Sequence, residues 1–296
     1  MGVVRLGTSS WSEKGWLGAF YPRGLPQGKF LGHYATRFPA VEADVTYYRV
    51  PSARMVAGWR ERTPKGFRLC AKFPRSIVHG GKGPQPDGDR VLHPEFTRQD
   101  CAGFLGAMQE LGERAGPLIM QFPYFNAGVF ADLDAFLERL VPFLDQLPQN
   151  GAYGVELRNR EWLCEPLLEV LRQRAITLVL ADLPMMPHPD SLAPDLNLLT
   201  SDRIYVRLVG DRKVTNALTS TFDSLVVDRQ ERLQRWADWL VPMSAQVKET
   251  YVFANNHFAG HGPASADSLG MLLAAGGVTL EPAPGIAPGI APGELF

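Results

Sequence analysis

The sequence lacks the features that mark several large classes of protein. Its three cysteines, Cys70, Cys101 and Cys164, lie far apart and form no CxxC pair. A disulfide framework or a structural zinc site is therefore not expected. No apolar run approaches the roughly 18 residues that a membrane-spanning helix needs, and no signal peptide is visible at the amino terminus. We therefore expect a cytoplasmic protein that does not enter the membrane.

The sequence also lacks an excess of charge of either sign. Its 30 lysine and arginine residues face 31 aspartate and glutamate residues, for a net charge of −1. A surface built to bind nucleic acid or anionic lipid carries a clear basic excess. The overall charge therefore argues against such partners, although a local basic pocket remains compatible with it.

What the sequence does contain is a repeated alternation of strand-like and helix-like segments. Apolar or alternating runs predict eight strands near residues 3–9, 41–47, 68–74, 117–123, 153–158, 177–182, 203–210 and 250–256. Helical spacing separates most of them, and Ser52 and Asn159 are candidate N-caps of two such helices. This pattern predicts an α/β fold, a single (β/α)8 TIM barrel. An open doubly wound sheet is the alternative, but no GxGxxG follows the first strand.

Two connections and the carboxyl terminus stand apart from this alternation. Long loops follow strands 1 and 3, and loops of that length in a compact domain are often lids or binding loops. A variable surface insertion is the alternative for the second loop. The barrel domain is predicted to span residues 1–275. Residues 276–296, with the repeat "APGIAPGIAPG", are predicted to form a Pro/Gly-rich flexible tail.

Polar side chains gather near the carboxyl ends of successive predicted strands. In "YGVELR", Glu156 and Arg158 share one face, while Tyr153, Val155 and Leu157 share the other. The same position on other strands holds further polar residues: Glu42, Asp44, Lys72, Gln121, Asp182, Arg207 and Asn256. In a barrel, inward side chains at this depth line the active-site mouth. The alternative is a structural network of paired charges that plugs the barrel.

The residues resemble those of a known family. The segments "GTSSWSEKGWLGAFYPRGLP", "VEADVTYYRVPS", "RLCAKFPRSIVH", "MQFP", "VELRNREW", "LADLP", "YVRLVG" and "FANN" resemble the YecE-like family, domain of unknown function 72, over about residues 4–275. The resemblance implies a TIM barrel. It also implies that Tyr48 and Trp162 belong with the polar positions above. Asp44 and Val45 stand where the family usually has Asn and Ser.

These residues predict an enzyme that acts on a small anionic substrate, phosphorylated or carboxylated. Glu156, Glu42, Asp182 and Lys72 are the candidate catalytic residues, with Glu156 as the leading proton-transfer group. Lys72 is alternatively a Schiff-base nucleophile. The candidate substrate-binding residues are Arg158, Arg207, Gln121, Asp44, Tyr48, Trp11, Trp162 and Asn256. Among them the guanidinium groups suit bidentate contact with an anion.

Two other functions remain open. A divalent-metal enzyme would use Glu42, Glu156 and Asp182 as oxygen ligands, although nearby cations oppose it. A nucleic-acid binding or processing module would use the basic mouth and the loop aromatics. A glycosidase is disfavoured, because Gln121 and Arg207 stand where a carboxylate pair is needed. The sequence names no cofactor, no metal and no oligomeric state.

Overall fold

The computed structural model describes residues 2–192 and 195–285. Within these ranges the strands are β1 (Val3–Thr8), β2 (Ala40–Ala43), β3 (Arg68–Lys72), β4 (Ala115–Gln121), β5 (Tyr153–Glu156), β6 (Thr177–Asp182), β7 (Arg203–Leu208) and β8 (Glu249–Ala254). The helices are α1 (Phe30–Tyr34), α2 (Val45–Tyr48), α3 (Ala53–Glu61), α4 (Arg75–Val78), α5 (Pro94–Met108), α6 (Leu133–Asp145), α7 (Glu165–Gln173), α8 (Pro189–Leu192), α9 (Arg212–Leu218), α10 (Gln230–Ser244), α11 (Asn256–Ala259) and α12 (Gly262–Ala275).

The strands form a parallel barrel. From β2 to β8 each strand pairs in parallel with the next, and β8 pairs in parallel with β1. The hydrogen-bonded order is β1-β8-β7-β6-β5-β4-β3-β2, and helices cover the outside. The predicted (β/α)8 fold is confirmed, and the open doubly wound alternative is wrong.

The barrel is nearly closed between β1 and β2, the two ends of the hydrogen-bonded order. The buried Tyr34 hydroxyl accepts hydrogen bonds from Thr8 N at 2.7 Å and Thr8 Oγ1 at 2.9 Å, and donates to Ala40 O at 3.2 Å. Gly7 lets the two backbones approach, because a Cβ there would lie 2.1 Å from Ala40 O. A side chain from α1 thus bridges the first two strands.

Alternate residues of the strands fill the barrel interior. The inner apolar cluster consists of Ala40, Cys70, Ile119, Val179, Tyr205, Tyr251 and Phe253. Opposite residues of the same strands pack under the helices, in a larger cluster rich in phenylalanine. The interior is therefore filled by side chains, as is general for this fold. A functional site must lie at one end of the barrel.

Both long connections are present at the carboxyl end of the strands. The chain from β1 to α1 folds around the buried Trp16, and Tyr21 stacks on Phe30 with ring centres 4.2 Å apart. The connection after β3 contains α4 and returns to the barrel at α5. The predicted long loops after strands 1 and 3 are confirmed.

Two local predictions differ from the structure. Strand 2 ends at Ala43 instead of residue 47, because Thr46 Oγ1 accepts from Lys72 N at 3.0 Å and donates to Lys72 O at 2.8 Å. A side chain thus replaces the backbone pairing. Ser52 caps α3 as predicted, whereas Asn159 caps no long helix. Its amide instead pairs with both backbone groups of Phe125, at 2.9 and 2.8 Å.

The first residues after 275 lie against the barrel. Leu280 pairs with Val4, Glu281 N donates to Val4 O at 2.8 Å, and Ala283 is buried. The remainder of the predicted tail, residues 286–296, lies outside the described residues. Among the described residues, every helix is too short or too polar to cross a membrane.

Candidate functional site

Charged side chains converge at the carboxyl end of the barrel. Lys72, Gln121 and Glu156 end their strands, and Glu42 and Arg207 lie one residue before the ends of β2 and β7. They join one cluster because each lies on the inward face of its strand. Asp44 and Arg158 follow β2 and β5 and complete it. We call these seven residues, together with Tyr205, the mouth cluster.

Arg207 is the centre of the mouth cluster. Its Nη1 donates to Glu156 Oε2 at 2.6 Å and to Gln121 Oε1 at 2.7 Å, and its Nε donates to Glu42 at 3.0 Å. Burial opposes its charged form, but Glu156 and Glu42 outweigh burial and hold the pKa of Arg207 well above its usual range. One guanidinium therefore joins strands β2, β4 and β5 across the interior.

Glu42 is fully buried and has three partners. Its Oε2 accepts from Tyr205 Oη at 2.7 Å, and its Oε1 lies 3.2 Å from Lys72 Nζ. Burial opposes ionisation, but the charges of Arg207 and Lys72 and the Tyr205 hydroxyl lower the pKa of Glu42 to about 2. Glu42 is therefore ionised at neutral pH and holds the cluster together.

Asp44 differs from Glu42 in exposure and in pKa. Its carboxylate contacts Lys72 Nζ, and its side chain is 31% exposed. Burial raises the pKa of Asp44; the Lys72 ammonium opposes this, and the Glu42 carboxylate reinforces it. Asp44 thus holds a proton more readily than an ordinary aspartate, and part of its side chain is exposed.

Arg158 is the second partly exposed member of the cluster. Its Nε lies 3.5 Å from Glu156 Oε1, and 31% of its side chain is exposed, whereas Glu156 is fully buried. Three carboxylates and three cationic groups balance in the whole cluster. Asp44 and Arg158, of opposite charge, are its two partly exposed charged members.

The structure separates Asp182 from these residues. Its Oδ2 accepts from Arg232 Nε at 2.7 Å and Trp236 Nε1 at 2.6 Å, both on α10. The prediction that it joins the barrel mouth is wrong. Inward Val179 lies on the opposite face of β6, so strand alternation directs Asp182 towards the helices. The sequence prediction relied on the position of Asp182 at the end of β6 and did not consider which face of the strand it occupies.

Four other predicted binding residues lie outside the mouth cluster. Trp162 is buried and stacks on Phe136 with ring centres 5.3 Å apart, so it belongs to the helix layer. Asn256 Oδ1 accepts from Trp16 Nε1 at 3.1 Å and Gly262 N at 2.9 Å. Trp11 packs edge-on against Trp59. Tyr48 is 78% exposed, with its ring against Tyr47.

Three residues near the mouth were not predicted. Tyr205 shares the inward face of β7 with Arg207, so the same alternation would have identified it. Tyr47 interacts electrostatically with Arg75, Arg158 and Glu156. Burial raises the pKa of Tyr47, and the two arginines oppose this. Tyr47 and Arg75 lie on short helices after the strands, and strand periodicity gives no signal for them.

The carboxylates are not arranged as a metal site. In residues 2–192 and 195–285, no group of three or more His, Cys, Asp or Glu side chains is placed to hold a metal ion. Glu42 and Glu156 each bind Arg207, and Asp182 lies in the helix layer. The proposed ligand set Glu42, Glu156 and Asp182 is therefore not assembled.

Comparison with known proteins identifies relatives along nearly the whole chain. A family model described as "Protein of unknown function DUF72" matches residues 5–288. The chain is similar to UPF0759 protein YecE of Escherichia coli K12, with 28% identity over 231 residues, 72% of this chain and 76% of that protein. It is also similar to UPF0759 protein YunF of Bacillus subtilis 168, with 20% identity over 281 residues, 87% of this chain and 90% of that protein.

A solved structure supports the same relationship. The crystal structure of a DUF72 family protein from Thermotoga maritima MSB8 matches with a TM-score of 0.67 and 29% identity. The match covers 92% of this chain and 99% of that one. The solved structure shares the barrel fold, and the names of these relatives state no reaction. Any function must therefore be argued from the mouth cluster itself.

Proposed function

The chain belongs to the DUF72 family, and from its site we propose that it is an enzyme acting on a small anionic substrate at the barrel mouth. The observation that carries this proposal is that only two charged side chains of the otherwise buried mouth cluster are partly exposed. The side chains of Arg158 and Asp44, a guanidinium and a carboxyl group, are both partly exposed at this end of the barrel. The substrate class is a phosphorylated or carboxylated metabolite.

Arg158 is the anion-binding residue of the proposal. Its Nε contact with Glu156 fixes one edge of the guanidinium and leaves further N–H donors for a ligand. A planar guanidinium binds a carboxylate or phosphate through two parallel hydrogen bonds. Arg207 is less suited to direct binding, because its donors already serve Glu42, Glu156 and Gln121.

Asp44 is the best supported proton-transfer group. General acid–base catalysis needs a carboxyl group that reaches the substrate and has a pKa closer to neutrality. Asp44 is partly exposed and its pKa is raised by burial, whereas the pKa of Glu42 is about 2. Glu156, the leading candidate from sequence, is fully buried between Arg207 and Arg158. It supports the two arginines.

Lys72 supports Asp44. Its ammonium contacts Glu42 and Asp44 and is only 5% exposed. Because its Nζ is held by two carboxylates, it is not placed to act as a Schiff-base nucleophile. In this proposal Lys72 positions Asp44 and stabilises the carboxylate after a proton has been given up.

Binding and turnover test different parts of the proposal. Isothermal titration calorimetry with sugar phosphates and small dicarboxylates should find at least one ligand. Arg158→Gln should weaken its binding by about tenfold or more, because a charged bidentate contact is lost. Arg160→Gln, an exposed arginine two residues further on, is the matched control and should bind normally. Asp44→Asn should bind the ligand and lose turnover by about 100-fold.

A purely structural charge network would give another result. In that case no anion of either class binds the wild type. Arg158→Gln then changes only the unfolding free energy, and the proposed enzyme is wrong.

A further inference from the structure

The amino-terminal face of the barrel carries a second cluster of charges, which the proposed enzyme does not use. It consists of Arg5, Arg68, Arg203, Glu249 and Tyr251, from the first residues of β1, β3, β7 and β8. We call it the basal cluster. The strand direction places it at the opposite end of the barrel from the mouth cluster.

One carboxylate holds most of the basal cluster together. Glu249 Oε1 accepts from Arg5 Nη1 at 2.9 Å and from Tyr251 Oη at 3.1 Å. Glu249 Oε2 accepts from Arg203 Nε at 3.0 Å. Two guanidinium groups and a phenol therefore share the same acidic side chain. Arg203 has a second acidic partner, Asp202, at 2.6 Å.

The basal cluster has an excess of positive charge and of hydrogen-bond donors. Arg68 donates to the carbonyl oxygen of Glu113, and no carboxylate within the described ranges forms an ion pair with it. A bound anion beside Arg68 would balance its charge.

The basal cluster borders a cavity of about 400 Å³. Arg68, Arg203, Glu249 and Tyr251 line it, together with the polar Gln109 and Asn150. Leu105, Met108 and Tyr153 supply apolar wall. This volume and this mixture of apolar walls with a few convergent polar groups are typical of sites for small organic ligands.

We infer that the basal cavity binds a small organic anion, a carboxylate or phosphate group on an apolar body. Arg68 and Arg203 hold the anionic group, and the apolar body packs against Leu105, Met108 and Tyr153. TIM-barrel enzymes carry out their chemistry at the carboxyl face. The basal cavity is therefore an accessory binding site, and it does not depend on the proposed enzyme.

Phenyl phosphate is a suitable probe, with inorganic phosphate as a second probe that lacks the apolar body. In titration calorimetry the wild type should bind phenyl phosphate more tightly than inorganic phosphate. Arg68→Gln should weaken phenyl phosphate binding by about tenfold or more, since a charge-assisted contact is lost. Arg68 is partly exposed, so this variant should fold, and circular dichroism checks that it does.

A second variant tests occupancy of the cavity without removing a charge. Ala115 is exposed at the start of β4 and lines the cavity, so Ala115→Trp should fill it and block binding. Arg160→Gln, an exposed arginine outside the cavity lining, is the control and should bind phenyl phosphate as the wild type does.

Three results would overturn the inference. One is a wild type that binds no phenyl phosphate. Another is binding that survives both Arg68→Gln and Ala115→Trp, or that is lost only in Arg158→Gln, which would place the probe at the mouth. The third is equal affinity for both probes, which would remove the apolar part of the ligand. Because the variants lie at opposite ends of the barrel, failure here and failure of the proposed enzyme are distinguishable.

Discussion

Arg207 and Glu42 form a buried ion pair that joins two strands separated in the barrel. Nη2 and Nε of Arg207 lie 2.9 and 3.0 Å from Glu42 Oε1, and Nε is also 3.0 Å from Oε2. Neither side chain is more than 3% exposed. Buried pairs of this kind contribute little net stability compared with apolar residues, but the loss of one partner is costly.

Glu42→Gln should destabilise the fold strongly. The substitution keeps the shape of the side chain but leaves Arg207 and Lys72 with less negative charge in a buried region. Breaking a buried pair in this way costs about 3–5 kcal/mol of unfolding free energy. Urea denaturation followed by circular dichroism measures the change. Glu110→Gln removes an exposed partner of Arg60 and should cost at most about 1 kcal/mol. Equal effects of the two variants would contradict the central position of Glu42.

The pKa of Glu42 also predicts an acid transition. A carboxyl whose pKa is lower in the folded state stabilises the fold above its unfolded pKa, and loses this contribution as pH falls to the folded value. For Glu42 the window runs from the ordinary value of 4.5 down to about 2. The contribution is on the order of 3 kcal/mol. Denaturation from pH 7 to pH 2 should show a steep loss below pH 4.5. Glu42→Gln should flatten this loss, and an unchanged slope would contradict the assignment.

Asp44→Asn should have the opposite effect on stability. The pKa of Asp44 is raised in the folded state, so its ionisation disfavours the fold as pH rises above the unfolded value. An uncharged asparagine removes that cost and also weakens the contact with Lys72. We expect the variant to be as stable as the wild type or more stable at pH 7, with turnover lost. Thermal unfolding at pH 7 and at pH 4 provides the measurement. A large loss of stability at pH 7 would identify Asp44 as a structural partner of Lys72.

The architecture could be predicted because its signals are local. Alternation within strands and helical spacing between them depend on residues a few positions apart, and they located all eight strands to within a few residues. The inward faces of β2, β3, β5 and β7 followed from the same alternation. Glu42, Lys72, Glu156 and Arg207 were therefore placed correctly at one end of the barrel.

The errors arose where a side chain far along the sequence decides the outcome. Thr46 ends the pairing of β2 because its side chain forms hydrogen bonds with the backbone of Lys72. Strand propensity does not predict this contact. Asp182 was assigned to the barrel mouth because it ends a strand, without regard to the face of β6 on which it lies. A network of paired charges was considered from sequence, but its individual hydrogen-bond partners could not be assigned, because they depend on the closure of the barrel.

Tyr34→Phe should loosen the closure between β1 and β2. The lost hydroxyl serves Thr8 N, Thr8 Oγ1 and Ala40 O, all buried. Leaving such groups unsatisfied costs about 1–3 kcal/mol. Hydrogen exchange should show faster exchange of the Thr8 amide, together with a lower midpoint of urea unfolding. Tyr48→Phe alters a hydroxyl on an exposed residue and should change stability by no more than about 0.5 kcal/mol. Unchanged exchange at Thr8 would show that the strands close without Tyr34.

Asp182→Asn should lower stability and leave the barrel mouth intact. The side chain is buried and accepts from Arg232 and Trp236, so loss of its charge weakens two hydrogen bonds, at a cost of about 1–3 kcal/mol. Arg232 is 38% exposed, so water can hydrate its guanidinium in the variant, and this limits the loss of stability. Asp190→Asn, which removes the exposed partner of Arg235, is the control and should cost at most about 1 kcal/mol. Once an anionic ligand of the mouth is found, its affinity should be the same in the wild type and in Asp182→Asn, within about twofold. If Asp182→Asn instead abolished binding at unchanged melting temperature, the carboxylate would act on the ligand. Its orientation towards α10 would then not describe the ligand-bound protein.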